Sequence, residues 1–338
     1  DVWFDSGAMP FAQIHYPFEN KKLIDSGALF PADFIAEGVD QTRGWFFTLH
    51  AISSMCFNSI AFKNVISNGL VLDNSGQKMS KRLDNAVDPF LLINKYGSDP
   101  VRWYMLTNAN PWENIKFNII GIDEVKRKFF GTLFNVYSFF ALYANIDGFC
   151  FKENKIGFSK KPLLDRWITS ELNFLIKSVT DSYESFDATR SGRLIQSFVI
   201  NDLSNWYVRL CRRRFWKSDY GFEKISAFQT LHECLFVVSK LTSPIIPFYA
   251  DFLYRDLLFK NNTAPHSVHL SSFPVFKKPD FDVVLRKKMK LVQSIVSLGL
   301  SLRKGLNIRV RQPLSVLSVI INEKLGFLSD DDFLNIIK

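Results

Sequence analysis

Two lysines that bracket a methionine–serine pair are the residues of this chain best suited to chemistry. Lys78 and Lys81 flank Met79 and Ser80 shortly after a strand-like apolar run that ends at Leu72. Because lysine carries a compact charge on a flexible stem, two of them on a short loop can hold the phosphates of a nucleotide. Such cations stabilise charge on a leaving pyrophosphate, each typically by roughly 2.7–4 kcal/mol. The alternative is an ordinary solvated loop, since short motifs also match by chance.

The residues around this loop resemble a known signature. Lys78–Arg82 resembles the KMSKS signature of class I aminoacyl-tRNA synthetases, with arginine in place of the final serine. Asp84–Pro89 resembles the continuation found in the enzymes for branched aliphatic amino acids. Upstream, Asp1–Gly7 and Glu37–Phe46 are similar to two further blocks of isoleucyl-tRNA synthetases. The resemblance extends from the first residue to about Pro313.

This resemblance implies an isoleucine–tRNA ligase, which activates L-isoleucine with ATP to isoleucyl-adenylate and transfers the isoleucyl group to tRNA(Ile) in protein synthesis. It further implies a cytoplasmic enzyme, monomeric at full length, that uses ATP with Mg²⁺ and has no membrane partner. We expect no zinc site in this chain. Two alternatives remain open, a valyl- or leucyl-tRNA synthetase and a tRNA-binding module without catalysis. A pure binding module would have no need of a pyrophosphate loop.

The other ATP-binding signature of class I synthetases, His-x-Gly-His, does not occur in the sequence, and none of its five histidines belongs to such a motif. The chain begins without methionine and lacks the editing insertion of the family. We therefore expect a C-terminal portion of a longer enzyme, and we expect that these 338 residues alone do not form the adenylate.

The nucleotide site is assigned by resemblance to the signature loop and to the end of the strand before it. We predict catalytic roles for Lys78 and Lys81. The predicted ATP-binding residues are Asn68, Gly69, Lys78, Met79, Ser80 and Lys81.

A second group of side chains has the chemistry to bind an amino acid. Glu37, Asp40 and Gln41 offer oxygen atoms to an ammonium group, while Trp3 and Trp45 offer an apolar wall. Gln41 and Trp45 are four residues apart and so share a face of a predicted helix. The resemblance assigns contact with isoleucyl-adenylate to Glu37. The alternative is a capped helix, with Asp40 as N-cap and Trp45 as a core aromatic. The predicted adenylate-binding residues are Glu37, Gly38, Asp40, Gln41, Trp45 and Trp3.

A third group alternates aromatic and basic residues. Trp206, Arg209, Arg213 and Trp216 recur at helical spacing within Asp202–Trp216, which resembles a characteristic helix of the anticodon-binding domain. Arginine pairs with phosphates, and aromatic rings stack on unpaired bases. We predict that these four residues bind tRNA. Equally, the tryptophans can belong to a helical core and the arginines can pair with carboxylates inside it.

Periodicity predicts an α/β fold followed by helices. Strand-like runs at 32–36 and 64–72 alternate with helix-like runs at 40–56 and from 88, which is typical of a parallel, partly Rossmann-like sheet. Beyond residue 162 the apolar period is helical. The predicted helices include residues 172–183, 195–206, 228–238, 248–259 and 282–304, and they form an all-α anticodon-binding bundle. The predicted domains are the second half of the catalytic domain (1–96), a connecting subdomain (97–161), the anticodon-binding domain (162–260) and a linker with the start of a C-terminal helical region (261–338).

Composition supports these assignments. Residues 1–95 hold 8 Lys and Arg against 10 Asp and Glu, whereas the remainder holds 34 against 23, so the positive charge lies on the part predicted to face RNA. No apolar run of roughly 18 residues is apparent that would span a bilayer. Four widely spaced cysteines indicate a reducing compartment, and we expect each to be a small buried thiol. The histidines are expected to be structural.

Overall fold

The computed structural model describes residues 2–80, 82, 85–217, 219–258, 264–320 and 331–337. The chain divides into two compact units, Asp1–Val125 and Lys126–Lys338. The helices and strands of the first unit are α1 (Val2–Gly7), α2 (Met9–Ala12), α3 (Lys21–Asp25), β1 (Ile35–Gly38), α4 (Trp45–Phe57), β2 (Val65–Asn68), β3 (Val71–Leu72), α5 (Pro89–Tyr96), α6 (Ser98–Asn108), β4 (Ile115–Lys116) and α7 (Ile119–Val125).

The first unit contains the predicted parallel strands. β1 pairs in parallel with β2, from Ile35 opposite Val65 to Gly38 opposite Asn68, and β3 pairs in parallel with β4. Helices lie between the paired strands along the chain, so their connections are the crossovers that parallel pairing requires. The predicted α/β architecture is therefore confirmed.

The predicted helix over residues 40–56 is in fact two elements. Val39–Arg43 forms a 3₁₀-helix, and α4 starts only at Trp45. Between them Gly44 has φ −132° and ψ −109°, a conformation outside the helical region. The prediction of one continuous helix was wrong because this glycine breaks it.

The predicted strands also differ from those observed. The first strand is displaced toward the C-terminus, because Ala32 makes only a single bridge to Phe62 and regular pairing starts at Ile35. The second is divided into β2 and β3 at Gly69 and Leu70. There the Gly69 N–H donates to the Pro111 carbonyl at 2.8 Å. Before this point β2 pairs with β1, and after it β3 pairs with β4.

The second unit is helical. Its α-helices are α8 (Gly131–Asp147), α9 (Leu163–Glu184), α10 (Ala188–Ser197), α11 (Arg209–Trp216), α12 (Phe222–Thr242), α13 (Pro247–Asp256), α14 (Val283–Gly305) and α15 (Asp331–Ile337). Short 3₁₀ turns are formed by Phe158–Lys160, Val268–Leu270 and Lys278–Asp280. The predicted helices are confirmed, although α13 ends at Asp256, before the predicted end, and residue 259 lies outside the described residues.

Two segments of this unit are π-helical, Lys126–Phe130 and Phe198–Val208. Apolar spacing predicts the second segment to be helical but does not reveal that its hydrogen bonds are of the wider, i to i+5, kind. Such segments occur frequently at functional sites. This one leads directly into α11, which carries three of the four predicted tRNA-binding residues.

One helix is longer and more apolar than the sequence analysis expected. It runs from Ile119 to Asp147, 29 residues with a mean hydropathy of 1.2 in its most apolar 18-residue window, and by length and composition it is able to cross a membrane. An unbroken apolar run of that length is still absent from the sequence, because uncharged polar residues interrupt the apolar ones, but these residues add no charge and leave the average hydropathy high. Leu133, Val136 and Phe140 are buried in the second unit. A core helix of a globular protein passes the same test.

A buried carboxylate joins four elements of the helical unit. Asp165 on α9 is fully buried, and its two oxygens accept hydrogen bonds from the two terminal guanidinium nitrogens of Arg214, each at 2.7 Å. It also accepts the hydroxyl groups of Tyr207 at 2.8 Å and Ser226 at 2.5 Å. Bidentate, charge-assisted bonds of this kind are shorter and stronger than neutral ones. Asp165 thereby fixes α9, the π-helical segment, α11 and α12 relative to one another.

The expected burial of the cysteines is only partly observed, and one histidine is a core residue. Cys211 and Cys234 are buried as expected, but Cys56 and Cys150 are exposed, so the expectation was wrong for those two. His232 is a core residue whose Nε2 lies 2.9 Å from the Leu257 carbonyl oxygen. Burial lowers the pKa of His232 to about 4, which keeps its ring neutral at physiological pH.

Replacing Asp165 by alanine is predicted to destabilise the helical unit by about 3–5 kcal/mol, because the largely buried Arg214 guanidinium loses its two shortest carboxylate bonds and is left with Glu223 as an ion-pair partner. Urea denaturation followed by circular dichroism measures this free energy of unfolding. The matched control is Asp181→Ala, an exposed aspartate on the same helix, which is predicted to change it by less than about 0.5 kcal/mol. Equal effects of the two substitutions would contradict the role of the buried carboxylate.

Candidate nucleotide and adenylate site

The carboxyl ends of β1 and β2 lie side by side. In their register Glu37 is opposite Ser67 and Gly38 is opposite Asn68. Ligands of open parallel sheets bind outside the carboxyl ends of the strands, where backbone groups are left without strand partners. The structure therefore brings four of the predicted site residues to one edge: Glu37, Gly38, Asn68 and Gly69.

The polar residues after β1 are organised by their own hydrogen bonds. Glu37 is exposed, and its Oε1 accepts the N–H of Gly38 at 3.0 Å. Gln41 donates to Asp40 Oδ2 at 3.1 Å and accepts the N–H of Trp45 at 3.0 Å. Gln41, rather than Asp40, thus satisfies a free amide in the first turn of α4. The exposed carboxylates of Glu37 and Asp40 are left available to a cationic ligand.

The two predicted tryptophans lie where α1 meets α4. The indole N–H of Trp45 donates to the Ser6 carbonyl at 3.0 Å, which ties α4 to α1. Gly44 lies beneath Trp3, since a Cβ atom at that position would be 2.9 Å from the Trp3 ring. Trp3 is 50% exposed and Trp45 is partly buried. The structure thus provides one exposed aromatic face, that of Trp3, beside the turn that follows β1.

The signature loop starts from β3. Leu72 forms an antiparallel bridge with Lys78, so the chain reverses over a turn and returns beside its own strand. Gly76 in this turn has φ +85°, a conformation that favours glycine. Lys78 is exposed, whereas Met79 packs against the core cluster that includes Leu92. Lys81 lies outside the described residues.

Asp73 organises the turn. Its Oδ1 accepts the N–H of Ser75 at 2.9 Å, the hydroxyl of Ser75 at 2.7 Å and the N–H of Gln77 at 2.8 Å. Its Oδ2 accepts the side-chain amide of Asn85 at 2.9 Å. The hydrogen bond from the Ser75 side chain, together with that from Asn85, lowers the pKa of Asp73 to about 2. The carboxylate is therefore ionised at any physiological pH.

Sequence reasoning missed Asp73 and Asn85 as members of this site. A signal was available for the first, since aspartate followed by a serine and a glycine is typical of a turn closed by a side-chain carboxylate. No local pattern reveals that Asn85, twelve residues later, reaches back to Asp73. That contact becomes visible only in three dimensions.

Gly69 is required by close packing at the point where the strand changes partners. A Cβ atom there would lie 2.4 Å from the Glu113 carbonyl oxygen. The neighbouring Leu70 N–H donates to Asn114 Oδ1 at 2.7 Å, so both residues are bonded to the segment before β4. Gly69 therefore has a structural reason to be glycine, whether or not it also contacts ATP.

The third group of predicted residues lies in the helical unit. Arg209 and Arg213 are exposed, and neither guanidinium has a hydrogen-bond or ion-pair partner among the residues that the structure describes. Trp216 is 58% exposed, whereas Trp206 is partly buried. The arginine of this helix that pairs with a core carboxylate is Arg214. A basic surface with one exposed aromatic ring is compatible with nucleic acid, and the assignment of these residues to tRNA stays a prediction.

Comparison with known families matches residues 1–118 to tRNA synthetases class I (I, L, M and V) and residues 165–320 to the anticodon-binding domain of tRNA ligase. Isoleucine–tRNA ligase of Bacteroides thetaiotaomicron is 58% identical over 327 residues. The chain belongs to the class I aminoacyl-tRNA synthetases. The alignment covers 96% of this synthetase chain but only 28% of the relative, so the chain spans less than a third of that protein's length.

Further relatives carry the same name. Isoleucine–tRNA ligase of Porphyromonas gingivalis is 60% identical over 319 residues, which cover 94% of this synthetase chain and 28% of the relative. The ligase of Thermus thermophilus is 45% identical over 320 residues, covering 94% and 30%.

Solved structures share the fold of this synthetase chain. A leucyl-tRNA synthetase (LeuRS) of Agrobacterium radiobacter, in a ternary complex with tRNA and LeuAMS, has a TM-score of 0.63 at 17% identity and matches 83% of this chain and 33% of its own. The methionyl-tRNA synthetase of Mycobacterium tuberculosis in complex with methionyl-adenylate has a TM-score of 0.62 at 18% identity, covering 75% and 49%.

Replacing Gly69 by alanine is predicted to lower the melting temperature of the chain by several degrees, because the added methyl group meets backbone atoms that cannot move aside. Differential scanning calorimetry measures the shift. Gly157→Ala is the control, since a Cβ atom there meets no atom within 4 Å. An unchanged melting temperature for Gly69→Ala would contradict the close approach at the strand switch.

Proposed function

We propose that this chain is part of an isoleucine–tRNA ligase, which activates L-isoleucine with ATP and transfers the isoleucyl group to tRNA(Ile) in cytoplasmic protein synthesis. The observation that carries the proposal is the edge at which β1 and β2 end together, with Glu37 on one strand and the signature loop shortly after the other. The names of relatives at 58–60% identity support isoleucine as the amino acid.

In the proposed reaction the isoleucine carboxylate attacks the α-phosphate of ATP in line, and pyrophosphate leaves. Lys78 and Lys81 bind the phosphates and stabilise the charge that develops on them. Glu37 binds the isoleucyl-adenylate, and the indole ring of Trp3 provides an apolar wall. The chain contributes by positioning and electrostatics rather than by covalent chemistry.

Magnesium is proposed to enter as part of the ATP substrate. Among the residues that the structure describes, no group of three His, Cys, Asp or Glu side chains is placed to hold a metal ion. The phosphates of ATP are themselves good ligands for this hard cation, which usually keeps several waters and few protein ligands.

The helical unit is proposed to bind the tRNA. Arg209, Arg213 and Trp216 lie exposed on α11, and together with Trp206 they form the proposed contact surface. Arginine side chains with no carboxylate partner are able to pair with phosphates at little cost, because no existing ion pair has to be broken. The excess of positive charge beyond residue 95 attracts the polyanion over a longer range.

Removing either lysine of the loop is predicted to act on the activation step. In a full-length ligase that contains this sequence, Lys78→Ala or Lys81→Ala should lower kcat for isoleucine-dependent ATP–pyrophosphate exchange, by roughly 10²–10³-fold for Lys81. The KM for isoleucine should change little, because the lysines are assigned to the nucleotide. The matched control is Lys22→Ala, an exposed lysine on α3. Parental activity of both loop variants would mean that the loop is only a solvated surface.

Removing one exposed arginine is predicted to weaken tRNA binding without unfolding the chain. Arg213→Ala should reduce the affinity for tRNA(Ile) and reduce the slope of log K against log salt concentration by about one, as expected for one lost phosphate contact. Fluorescence anisotropy over a salt series measures both quantities, and the melting temperature should stay within about two degrees. Arg190→Ala, at an exposed arginine on α10, is the control. Unchanged affinity together with a lowered melting temperature would instead make Arg213 a structural residue.

A further inference from the structure

Asn85 connects two parts of the signature loop that are distant in sequence. Its Oδ1 accepts the backbone N–H of Ser80 at 2.8 Å. Its Nδ2 donates to Asp73 Oδ2 at 2.9 Å and to the Lys78 carbonyl at 3.4 Å. A backbone N–H can only donate, so the bond to Ser80 fixes which atom of the amide is oxygen. Both protons of the amide nitrogen and its oxygen are then engaged at once.

Asp73 is the other half of this arrangement. Its Oδ1 is occupied by Ser75 and Gln77, which hold the turn closed. Its Oδ2 is thereby aimed at Asn85. Asp73, at the start of the turn, thus bonds Asn85, which lies three residues after the signature, and Asn85 in turn bonds the backbone of Lys78 and Ser80. We call Asp73 and Asn85 the loop clasp.

We propose that the loop clasp is a positioning device for the activation reaction, which fixes the backbone from Lys78 to Ser80 and so sets the direction from which the Lys78 ammonium group meets the phosphates of ATP. This inference rests on the proposed function of the loop. Neither Asp73 nor Asn85 is assigned a contact with substrate. They act through Lys78.

A second anchor shows why the clasp matters for direction. Met79 packs against the core cluster that includes Leu92, while Lys78 before it is exposed. Fixing both the neighbouring carbonyl and amide groups and the Met79 side chain leaves the backbone little freedom to rotate. A flexible lysine stem that starts from a fixed backbone searches a smaller volume, which is how positioning accelerates a reaction.

The clasp requires asparagine at position 85. An aspartate would still offer an oxygen to the Ser80 N–H, but it would lose both N–H donors. One of its oxygens would also replace the amide nitrogen that now lies 2.9 Å from the ionised Asp73 Oδ2. Two carboxylates so close cannot both stay charged without cost, so the pKa of one of them rises. Asn85→Asp is therefore a nearly isosteric change that breaks the clasp at neutral pH and allows it to reform when the introduced carboxyl group is protonated.

The experiment compares Asn85→Asp with Asn74→Asp. Asn74 lies in the same turn and is exposed, so its substitution adds the same charge nearby without touching the clasp. The first measurement is amide hydrogen exchange of the peptide that contains Ser80, in the 338-residue chain and corrected for intrinsic rates. Asn85→Asp should exchange roughly 3- to 10-fold faster at pH 7, as expected for one lost hydrogen bond. The protection should return as the pH falls toward 5, and Asn74→Asp should match the parent.

The second measurement uses a full-length ligase that contains this sequence. Asn85→Asp should lower kcat for isoleucine-dependent ATP–pyrophosphate exchange by about 10- to 100-fold per titrated active site, with the KM for isoleucine unchanged within about twofold. Asn74→Asp should keep the parental kcat. Loss of both parameters in proportion to a lower melting temperature would indicate general destabilisation and would overturn the positioning role.

The outcomes separate this inference from the proposed function. Unchanged hydrogen exchange at Ser80 in Asn85→Asp overturns the clasp itself. Faster exchange with parental kcat shows that the clasp holds the backbone but does not position Lys78, which also overturns the inference. If the parental full-length protein shows no isoleucine-dependent exchange, the proposed function fails and the positioning role falls with it, while the hydrogen exchange still decides whether Asn85 fixes the loop.

Discussion

The parallel pairing of β1 with β2 is the constraint on which the candidate catalytic site depends. With Gly38 opposite Asn68, the strands end at the same level, so the residues that follow them lie at one edge. A shift of one residue would turn every side chain of one strand to the opposite face. The chain then changes partners at Gly69, where contact with the Glu113 backbone leaves no room for a side chain. This switch directs β3 toward β4 and the loop that carries Lys78.

The helical unit depends on a different interaction, the buried carboxylate of Asp165. Because its bonds to Arg214 and Tyr207 fix the rotation of the π-helical segment and α11, they also decide which arginines of α11 face outward. Arg214 points into the unit and pairs with Asp165, whereas Arg209 and Arg213 are exposed. A burial-driven network thus creates the basic surface that we propose for tRNA.

Much of this molecule could be predicted from its sequence. The parallel strands and the long helices follow from local patterns of apolar and turn residues, and local patterns are visible in one dimension. The breaks at Gly44 and Gly69 were missed because a glycine is informative only when its neighbours in space are known. Arg214 was not distinguished from Arg213 for the same reason, since the carboxylate that separates them is 49 residues away in the chain. The bond between Asp73 and Asn85 belongs to this class as well.

The proposed function places isoleucyl-adenylate at the edge formed by β1 and β2. Crystallography of a full-length ligase that contains this sequence, in complex with a non-hydrolysable isoleucyl-adenylate analogue, tests it most directly. We expect electron density for the analogue at the carboxyl ends of β1 and β2, with Glu37 in hydrogen-bonding contact with it and Lys78 directed toward its phosphate or sulfamate group. Density elsewhere, with Glu37 and Lys78 both in solvent, would mean that this edge does not bind the adenylate.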